Sequence, residues 1–270
     1  FCNQYFADYP KNIPDGKFAP LTVEPEWMLL SYHKAACASS SRSGFDPQNA
    51  FDESKKSAWS ATSGNSGEWL SVDLGKEYNV EAVQVNFADC FTKKKRAPMK
   101  EYGGTFTQER YIEEELVRYE YRIEYSSNGT DWAPYEETQN TVFPHKLIPR
   151  RARARYIRIV FASAPYGQNF SISGLRVFGL DNNKKPSAVS GENAERTSAT
   201  EARLSWNSQN DAMGYCIRLG IAPDKLYYSI LLYGHNDYTV TFLNKETEKY
   251  YFAVDSFTES GITKGSINEF

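Results

Sequence analysis

Residues capable of hydrolytic or metal-assisted chemistry are present in this chain, but their spacing matches no catalytic motif. The sequence contains no G-x-S-x-G turn, no H-E-x-x-H motif and no glycine-rich phosphate loop. Its three histidines (His33, His145 and His235) are isolated from one another, and a lone histidine is most often a surface residue. The acidic run at 113–115 could supply carboxylates for glycoside hydrolysis, but a solvated surface accounts for it better. We therefore predict that the chain is not an enzyme.

Aromatic residues concentrated in two loops are better candidates for binding chemistry. The segment Asp89–Arg118 exceeds the length of about 12–15 residues above which a loop in a compact domain is usually functional or disordered. The second loop is Ala164–Phe170. The aromatic residues of the two loops are Phe91, Tyr102, Phe106, Tyr111, Tyr166 and Phe170. A flat ring suits the C–H face of a pyranose. The alternative is that the rings pack their loops onto the domain, and we expect Phe170 in the core.

Composition excludes several other classes of function. With 270 residues, 19 Tyr and 16 Phe, the chain is long enough for two domains and favours short strands over long helices. A net charge of -3 leaves no nucleic-acid footprint, and no apolar run approaches the roughly 20 residues that span a bilayer. The four cysteines lack C-x-x-C spacing, which argues against a zinc ribbon. Of these, Cys37 and Cys216 are predicted to be small buried hydrophobes.

The elements that would position the loops are short strands with alternating polarity. A serine-rich loop after Ala38 leads to Asp52 and Trp59, and a strand with Trp69 closing the interior is predicted to stop at Gly75. The dipeptide Asn128-Gly129 predicts a hairpin. The other strand candidates of this region are Glu68–Leu74, Val80–Phe87, Tyr119–Ser126, Tyr156–Val160 and Gly174–Phe178.

The combination of the 38–75 segment with the closing strand at 171–179 (SISGLRVFG) resembles the discoidin or factor 5/8 type C fold. Family 32 carbohydrate-binding modules also use this fold, and the resemblance covers Trp27 to Leu180. It implies an all-β, discoidin-like (galactose-binding-like) sandwich with a ligand surface in the loops at one end. The ligand-binding residues that we predict on this basis are Tyr102, Phe106, Tyr111, Tyr166 and Asn169.

The same resemblance implies a structural calcium ion in the turn that follows an N-A-x-D motif. The matching residues are Asn49, Asp52 and Ser57, and calcium prefers oxygen ligands of these kinds. Two features depart from the family pattern. Gly174 stands where relatives often have a ligating glutamate, and the turn carries two lysines at 55–56. The alternative is that Asp52 caps the turn by accepting hydrogen bonds from backbone N–H groups.

The remainder of the chain resembles a fibronectin type III sandwich. Residues 181–186 are polar and end in a proline, which predicts a linker, and residues 187–270 have the length of one such domain. Trp206 is predicted to be buried. In this fold a tyrosine placed like Tyr250 packs at a corner and hydrogen-bonds back to the backbone.

The lead-in at 1–26 is proline-rich and lacks periodicity, so we expect it to come from a missing upstream domain. Phe6, Asp8, Tyr9 and Pro10, followed by WMLLSY at 27–32, resemble the junction between the propeller and the discoidin-like module of bacterial glycoside hydrolase family 43 proteins. The chain begins with neither a methionine nor a signal peptide, and we expect it to be a piece of a longer protein. The resemblance implies a bacterial periplasmic or extracellular location, and it transfers no catalytic residue.

Two hypotheses follow for the function. The first is a non-catalytic ancillary region that binds plant-type glycan for a polysaccharide-degrading glycoside hydrolase, with the upstream catalytic domain of the same polypeptide as a partner. The second is a structural module that packs on the propeller without glycan affinity. A lipid-binding role would need more exposed apolar loop tips than Phe106 provides, and no membrane insertion or nucleic-acid partner is expected. The basic runs at 93–96 and 150–155 could contact an acidic polysaccharide, or they could blunt an edge strand.

Overall fold

The computed structural model of the protein describes residues 27–54, 56–88, 118–141, 145–164 and 167–270. They contain strands and one 3-10 turn, Pro47–Ala50, and the all-β prediction is confirmed. The chain divides into two compact units: the first unit is Leu29–Phe178, and the second unit contains Gly179–Phe270. Within the described ranges, no helix is long and apolar enough to cross a membrane.

The first unit is built on one eight-stranded hydrogen-bonded network. Its strands are β1 (Met28–Leu29), β2 (Ala35–Ala38), β3 (Trp59–Ser60), β4 (Trp69–Phe87), β5 (Tyr119–Ser126), β6 (Ala133–Thr141), β7 (His145–Ser163) and β8 (Ser171–Leu180). The order along the sheet is β1-β8-β4-β7-β5-β6, with β2 paired to β4 and β3 paired to β8. The hairpin predicted at Asn128-Gly129 is confirmed, because it joins the antiparallel strands β5 and β6.

Strand β4 does not stop at Gly75, as the sequence analysis expected, but continues to Phe87. Its pairing with β7 is interrupted between Asp73 and Tyr78. Gly75 has a φ of 91°, a conformation that residues with a Cβ rarely adopt. One glycine therefore lets a long strand break its register and continue past the residue at which it was predicted to stop.

The core of the first unit encloses Trp59 rather than Trp69. The inner face of β4 carries Leu70, Val72 and Leu74, all fully buried, as is Trp59. Side chains alternate along a strand, so Trp69 points to the opposite face of β4, where it is half-buried. The prediction that Trp69 closes the interior was wrong for this reason. Similarly, Cys37 is exposed, whereas Cys216 is buried as predicted.

Three of the four arginines in the basic run of β7 pair with acidic residues of β4. Arg151 lies 2.7 Å from Glu81, Arg153 lies 3.1 Å from Glu77, and Arg155 lies 2.8 Å from Asp73. Strand β7 lies between β4 and β5 in the sheet order, but β5 pairs with it only from Tyr156 to Ser163, so the basic run at 150–155 is paired with β4 alone. These contacts leave little net positive charge for an acidic polysaccharide. The basic run at 93–96 lies outside the described residues.

The second unit consists of two sheets around a shared core. Its strands are β9 (Asn193–Arg196), β10 (Ala202–Ser205), β11 (Gly214–Gly220), β12 (Tyr228–Tyr233), β13 (Asp237–Val240), β14 (Tyr251–Thr258), β15 (Gly261–Thr263) and β16 (Asn268–Glu269). One sheet has the order β13-β10-β9, and the other has the order β12-β11-β14-β15 with β16 also paired to β14. Trp206 is buried in the core between them, as predicted.

Two buried tyrosines tie the second unit's strands to its loops. The hydroxyl of Tyr250 accepts a hydrogen bond from the backbone N–H of Asn244 at 2.7 Å, which confirms the predicted corner contact. Tyr215 makes an equivalent contact, since its hydroxyl accepts from the N–H of Gln209 at 2.6 Å. In both cases the ring contributes to the core while the hydroxyl satisfies a loop N–H group.

Candidate functional site

Three loops meet at one end of the first unit. They are Ser39–Ser41, Ala61–Glu68 and Gln168–Phe170, and together we call them the loop end. The N–H of Ala61 donates to the carbonyl of Phe170 at 2.9 Å, and the N–H of Phe170 donates to the carbonyl of Ser63 at 3.3 Å. The loop end is therefore held together by backbone hydrogen bonds, although its loops lie far apart in sequence.

Buried side chains reinforce these backbone contacts. The amide of Gln168, which is fully buried, donates to the hydroxyl of Tyr119 at 2.8 Å, and the amide of Asn169 donates to the carbonyl of Ala61 at 2.8 Å. Gly64 allows a close approach, because a Cβ at this position would lie 2.4 Å from the carbonyl oxygen of Gln168. A side chain at residue 64 would push the second and third loops apart.

Stacked aromatic rings connect the loop end to the strands beneath it. Phe87, the last residue of β4, stacks on Tyr119, the first residue of β5, with ring centroids 4.0 Å apart. Phe161 stacks on Phe170 at 4.4 Å, and the predicted burial of Phe170 is confirmed. Because Tyr119 also bonds Gln168, the ends of β4 and β5 lie next to the third loop of the loop end.

A cluster of hydroxyl groups around one carboxylate occupies the rim of the loop end. Ser39 and Ser40 donate hydrogen bonds to Oε2 of Glu68, the latter at 2.8 Å, and Ser63 donates to Oε1 at 2.7 Å. We call Ser39, Ser40, Ser63 and Glu68 the serine–glutamate cluster. Its members are exposed or half-buried. Each hydroxyl uses its proton towards Glu68, and its oxygen already accepts one backbone N–H, from Trp69 for Ser39, from Thr62 for Ser40 and from Asn65 for Ser63. One acceptor lone pair therefore stays available on each serine oxygen.

Glu68 is ionised at neutral pH. Partial burial alone would raise the pKa of its carboxyl group, but the hydrogen bonds from Ser39, Ser63 and Ser40 outweigh burial and hold the pKa below its usual value. The hydroxyl oxygen of Ser40 also accepts from the N–H of Thr62 at 3.1 Å. The cluster thus joins the first two loops through a carboxylate that stays charged.

Such an arrangement suits a neutral, hydroxyl-rich ligand. A carboxylate accepts strong hydrogen bonds from hydroxyl groups, and it repels other anions. Half-buried Trp69 directly follows Glu68 in the chain, and the backbone N–H of Trp69 donates to Ser39 Oγ at 2.9 Å. The sequence analysis missed the cluster. The feature that could have revealed it is the serine run at 39–41 in a region that also has an acidic residue directly before a strand.

Most of the predicted ligand-binding residues lie outside the described part of the chain. These are Tyr102, Phe106, Tyr111 and Tyr166, and they stay predictions. Asn169 is described and is 2 % exposed. Its amide holds the third loop to Ala61, so direct contact with a ligand would require the side chain to leave this position.

The predicted calcium residues use their polar atoms on one another and on the backbone. Asp52 Oδ1 accepts from the N–H of Ser54 at 2.8 Å, and Oδ2 accepts from the hydroxyl of Ser57 at 2.6 Å. The amide nitrogen of Asn49 donates to the carbonyl of Ala58 at 3.2 Å. Asp52 thus accepts one backbone N–H of the turn, as its alternative role as a turn cap requires. Within the described ranges, no three His, Cys, Asp or Glu residues group as metal ligands, and the donor set does not fit calcium without rearrangement.

Comparison with known proteins supports the discoidin part of the resemblance. Residues 34–111 match the F5/8 type C domain family, and this stretch lies within the first unit. No curated protein matches the chain.

Several solved structures are similar to it. Chitosan-binding module 1 of a chitosanase/glucanase from Paenibacillus sp. IK-5 is 22% identical, with a TM-score of 0.43 over 56% of this chain and 98% of that one. A fucose-binding module of Streptococcus pneumoniae is 17% identical, with a TM-score of 0.40 over 58% and 98%. A Clostridium perfringens module in complex with GlcNAc-α-1,4-galactose is 14% identical, with a TM-score of 0.41 over 58% and 97%.

Proposed function

We propose that this chain is a non-catalytic glycan-binding region and that the first unit binds its ligand at the loop end. The observation that carries the proposal is the serine–glutamate cluster, where three hydroxyl groups surround one ionised carboxylate on a solvent-accessible rim. The F5/8 type C match supports it, because the loop end belongs to the same unit.

The charge of the site selects the class of glycan. Glu68 places a negative charge at the rim, and the arginines of β7 that could attract an acidic polymer are paired with acidic residues of β4. Uronic acids would be repelled, whereas the hydroxyl group of a neutral sugar can replace one of the serine donors on the carboxylate. Neutral plant polysaccharides such as xylan, arabinan and galactan are therefore our proposed ligands.

The wider context of the proposal is a secreted bacterial glycoside hydrolase of the family 43 type. A binding region tethered to a catalytic domain raises the local substrate concentration even when its own affinity is weak. The second unit would then be a fibronectin type III spacer, which the two sheets and the Tyr250 corner contact support. Periplasmic or extracellular location belongs to the same proposal.

Affinity electrophoresis of the full chain through gels containing xylan, arabinan, galactan or polygalacturonate tests the proposal. We expect retardation by at least one neutral polymer and none by polygalacturonate. Glu68→Gln should weaken binding by about tenfold to a hundredfold, because a hydrogen bond to a charged group is lost. Asp73→Asn is the matched control, since it removes a nearby carboxylate, on the adjoining strand β4, that pairs with Arg155 instead.

The experiment distinguishes a wrong choice of binding site from a lack of glycan binding. Retardation that Glu68→Gln leaves unchanged would move the binding site elsewhere, and alanine variants of Tyr102, Phe106, Tyr111 and Tyr166 would then locate it. Absence of retardation with every polymer would contradict glycan binding.

A structural module is the second candidate function. One observation favours it: the second unit exposes an aromatic group in which Tyr228 stacks on Phe242 with centroids 4.4 Å apart, and neighbouring Tyr227 is 81% exposed. Such a surface could pack on an upstream domain. This role predicts that the chain shows no glycan affinity but binds the isolated catalytic domain of its parent protein.

A further inference from the structure

The segment made of residues 52–54 and 56–57, which we call the Asp52 loop, is joined to strand β8 by one arginine. Arg176 of β8 places Nε 3.0 Å from Oε1 of Glu53 and Nη2 2.8 Å from Oε2. Two of the three guanidinium nitrogens thus face the two carboxylate oxygens: Nε donates a hydrogen bond, and Nη2 lies at ion-pair distance. We propose that the guanidinium of Arg176 is the resident cation of the Asp52 loop, and that the loop closes without a bound calcium ion.

The burial of the pair supports this role. The side chain of Arg176 is 8% exposed and that of Glu53 is 19% exposed. A cation held this far from water needs a charged partner, because an uncompensated buried charge is strongly destabilising. Glu53 also has a φ of 57°, in the left-handed region that a residue with a Cβ adopts at a cost in energy. The bidentate contact offsets that cost and fixes the loop in this conformation.

The other side of the guanidinium is occupied by a line of amides. Nη1 of Arg176 donates to Oε1 of Gln84 at 3.0 Å, and Nε2 of Gln84 donates to Oδ1 of Asn86 at 3.1 Å. Gly174 makes room for this line, since a Cβ at residue 174 would lie 2.8 Å from Nδ2 of Asn86. Where the family resemblance places a ligating glutamate, this chain therefore has a glycine and a neighbouring amide.

Several other oxygens that could serve as calcium ligands already accept protein hydrogen bonds. Asp52 accepts from Ser54 N–H and from the hydroxyl of Ser57, and the carbonyl of Ala58 accepts from the amide of Asn49. Calcium takes six to eight oxygen ligands, so binding would require these contacts to break. Glu53, the other carboxylate of the loop, is held by Arg176. The geometry thus replaces metal coordination with internal hydrogen bonds and one ion pair.

Calorimetric unfolding of the full chain in EDTA and in millimolar calcium chloride tests the proposal without any variant. We expect the same Tm for the first unit in both buffers and no heat of calcium binding by titration calorimetry. A site filled at a hundredfold excess over its Kd would instead raise the Tm of a unit of this size by about 5–10 °C. A shift of that size would overturn the proposal.

Arg176→Met tests the role of the guanidinium directly. We expect the Tm of the first unit to fall by about 6–12 °C in both buffers, because Glu53 loses its buried partner. Arg155→Met is the matched control, since its pair with Asp73 is more exposed, and we expect a shift of at most about 4 °C. Equal shifts for the two variants would refute the special role of Arg176. If Arg176→Met does not fold, the comparison of the two buffers with the unchanged chain decides the question.

Discussion

Each compact unit contains an arginine that contacts a carboxylate through two nitrogens, and the two pairs differ in what they connect. In the second unit, Arg218 of β11 lies 2.7 Å and 2.9 Å from the two oxygens of Asp255 on β14. Those strands are already neighbours in one sheet. In the first unit, Arg176 connects a strand to a loop residue, Glu53, that lies outside the strands.

The environment of the carboxylate also differs. Asp255 is 1% exposed and accepts two further contacts, from the Lys264 ammonium at 3.3 Å and from the N–H of Gly265 at 2.9 Å. The contact with Asp255 raises the pKa of Arg218. Asp255 therefore holds three groups of the second unit together, whereas Glu53 holds one loop to one arginine. Loss of the Asp255 carboxylate should therefore destabilise the whole second unit. Loss of the Glu53–Arg176 contact should destabilise mainly the region around the Asp52 loop.

Asp255→Ala tests the larger of the two effects. Removing the carboxylate leaves Arg218 without its buried partner and leaves the Gly265 N–H without its acceptor. We expect the free energy of unfolding of the second unit to fall by about 3–5 kcal/mol. Hydrogen exchange of the backbone amides in the core of the second unit measures this loss. Exchange in the core of the first unit is the control, and an equal loss there would contradict a role confined to the second unit.

Glu53→Gly probes the loop pair and has two opposing consequences. Glycine relieves the left-handed backbone at residue 53, which is worth about 1 kcal/mol, but it leaves Arg176 buried without a carboxylate at a cost of about 3–5 kcal/mol. We expect a net loss of about 2–4 kcal/mol for the first unit, measured by denaturant unfolding. A gain in stability would mean that the strain at Glu53 outweighs its ion pair, and the comparison with Asp255 would fail.

Tyr250→Phe and Tyr215→Phe extend the comparison to uncharged contacts between strands and loops. Each variant removes one hydrogen bond to a loop N–H group and keeps the ring in the core. We expect each variant to lower the free energy of unfolding of the second unit by about 1 kcal/mol. This is less than for either carboxylate variant, because no buried charge loses its partner. A loss as large as that of Asp255→Ala, measured by the same hydrogen exchange, would show that the hydroxyls carry more than one bond.

The sequence predicted what depends on local patterns and failed where distant residues meet. Alternation located strand β5, and Asn128-Gly129 located its hairpin, because both features are encoded within a few residues. The serine–glutamate cluster could not be predicted in this way, since Ser39 and Glu68 are 29 residues apart. The Glu53–Arg176 pair spans 123 residues. Such contacts follow from the fold and leave no periodic trace in the chain.

Glu68 provides the smallest effect and a contrast in how a carboxylate is stabilised. Its pKa is lowered in the folded state, where hydrogen bonds from neutral serine hydroxyls overcome the opposing influence of burial. Its contribution to stability is therefore fully present above its unfolded pKa of about 4.3 and is lost as the pH falls through the lower folded pKa. After solvent screening, this contribution to the free energy of unfolding is less than about 1 kcal/mol. Glu68→Gln should remove it and so flatten the acid side of the plot of the first unit's Tm against pH.

Salt distinguishes this carboxylate from one held by charged partners. Burial also opposes ionisation of Glu124, and contacts with Arg122 and Arg158 lower its pKa. Salt screens charges, so the acid-side slope contributed by Glu124 should weaken as ionic strength rises, and the slope contributed by Glu68 should not. Tm profiles of Glu68→Gln and Glu124→Gln at low and high salt measure both slopes. A Glu68 slope that disappears in salt would mean that positively charged groups, and not the serine hydroxyls, keep this carboxylate ionised.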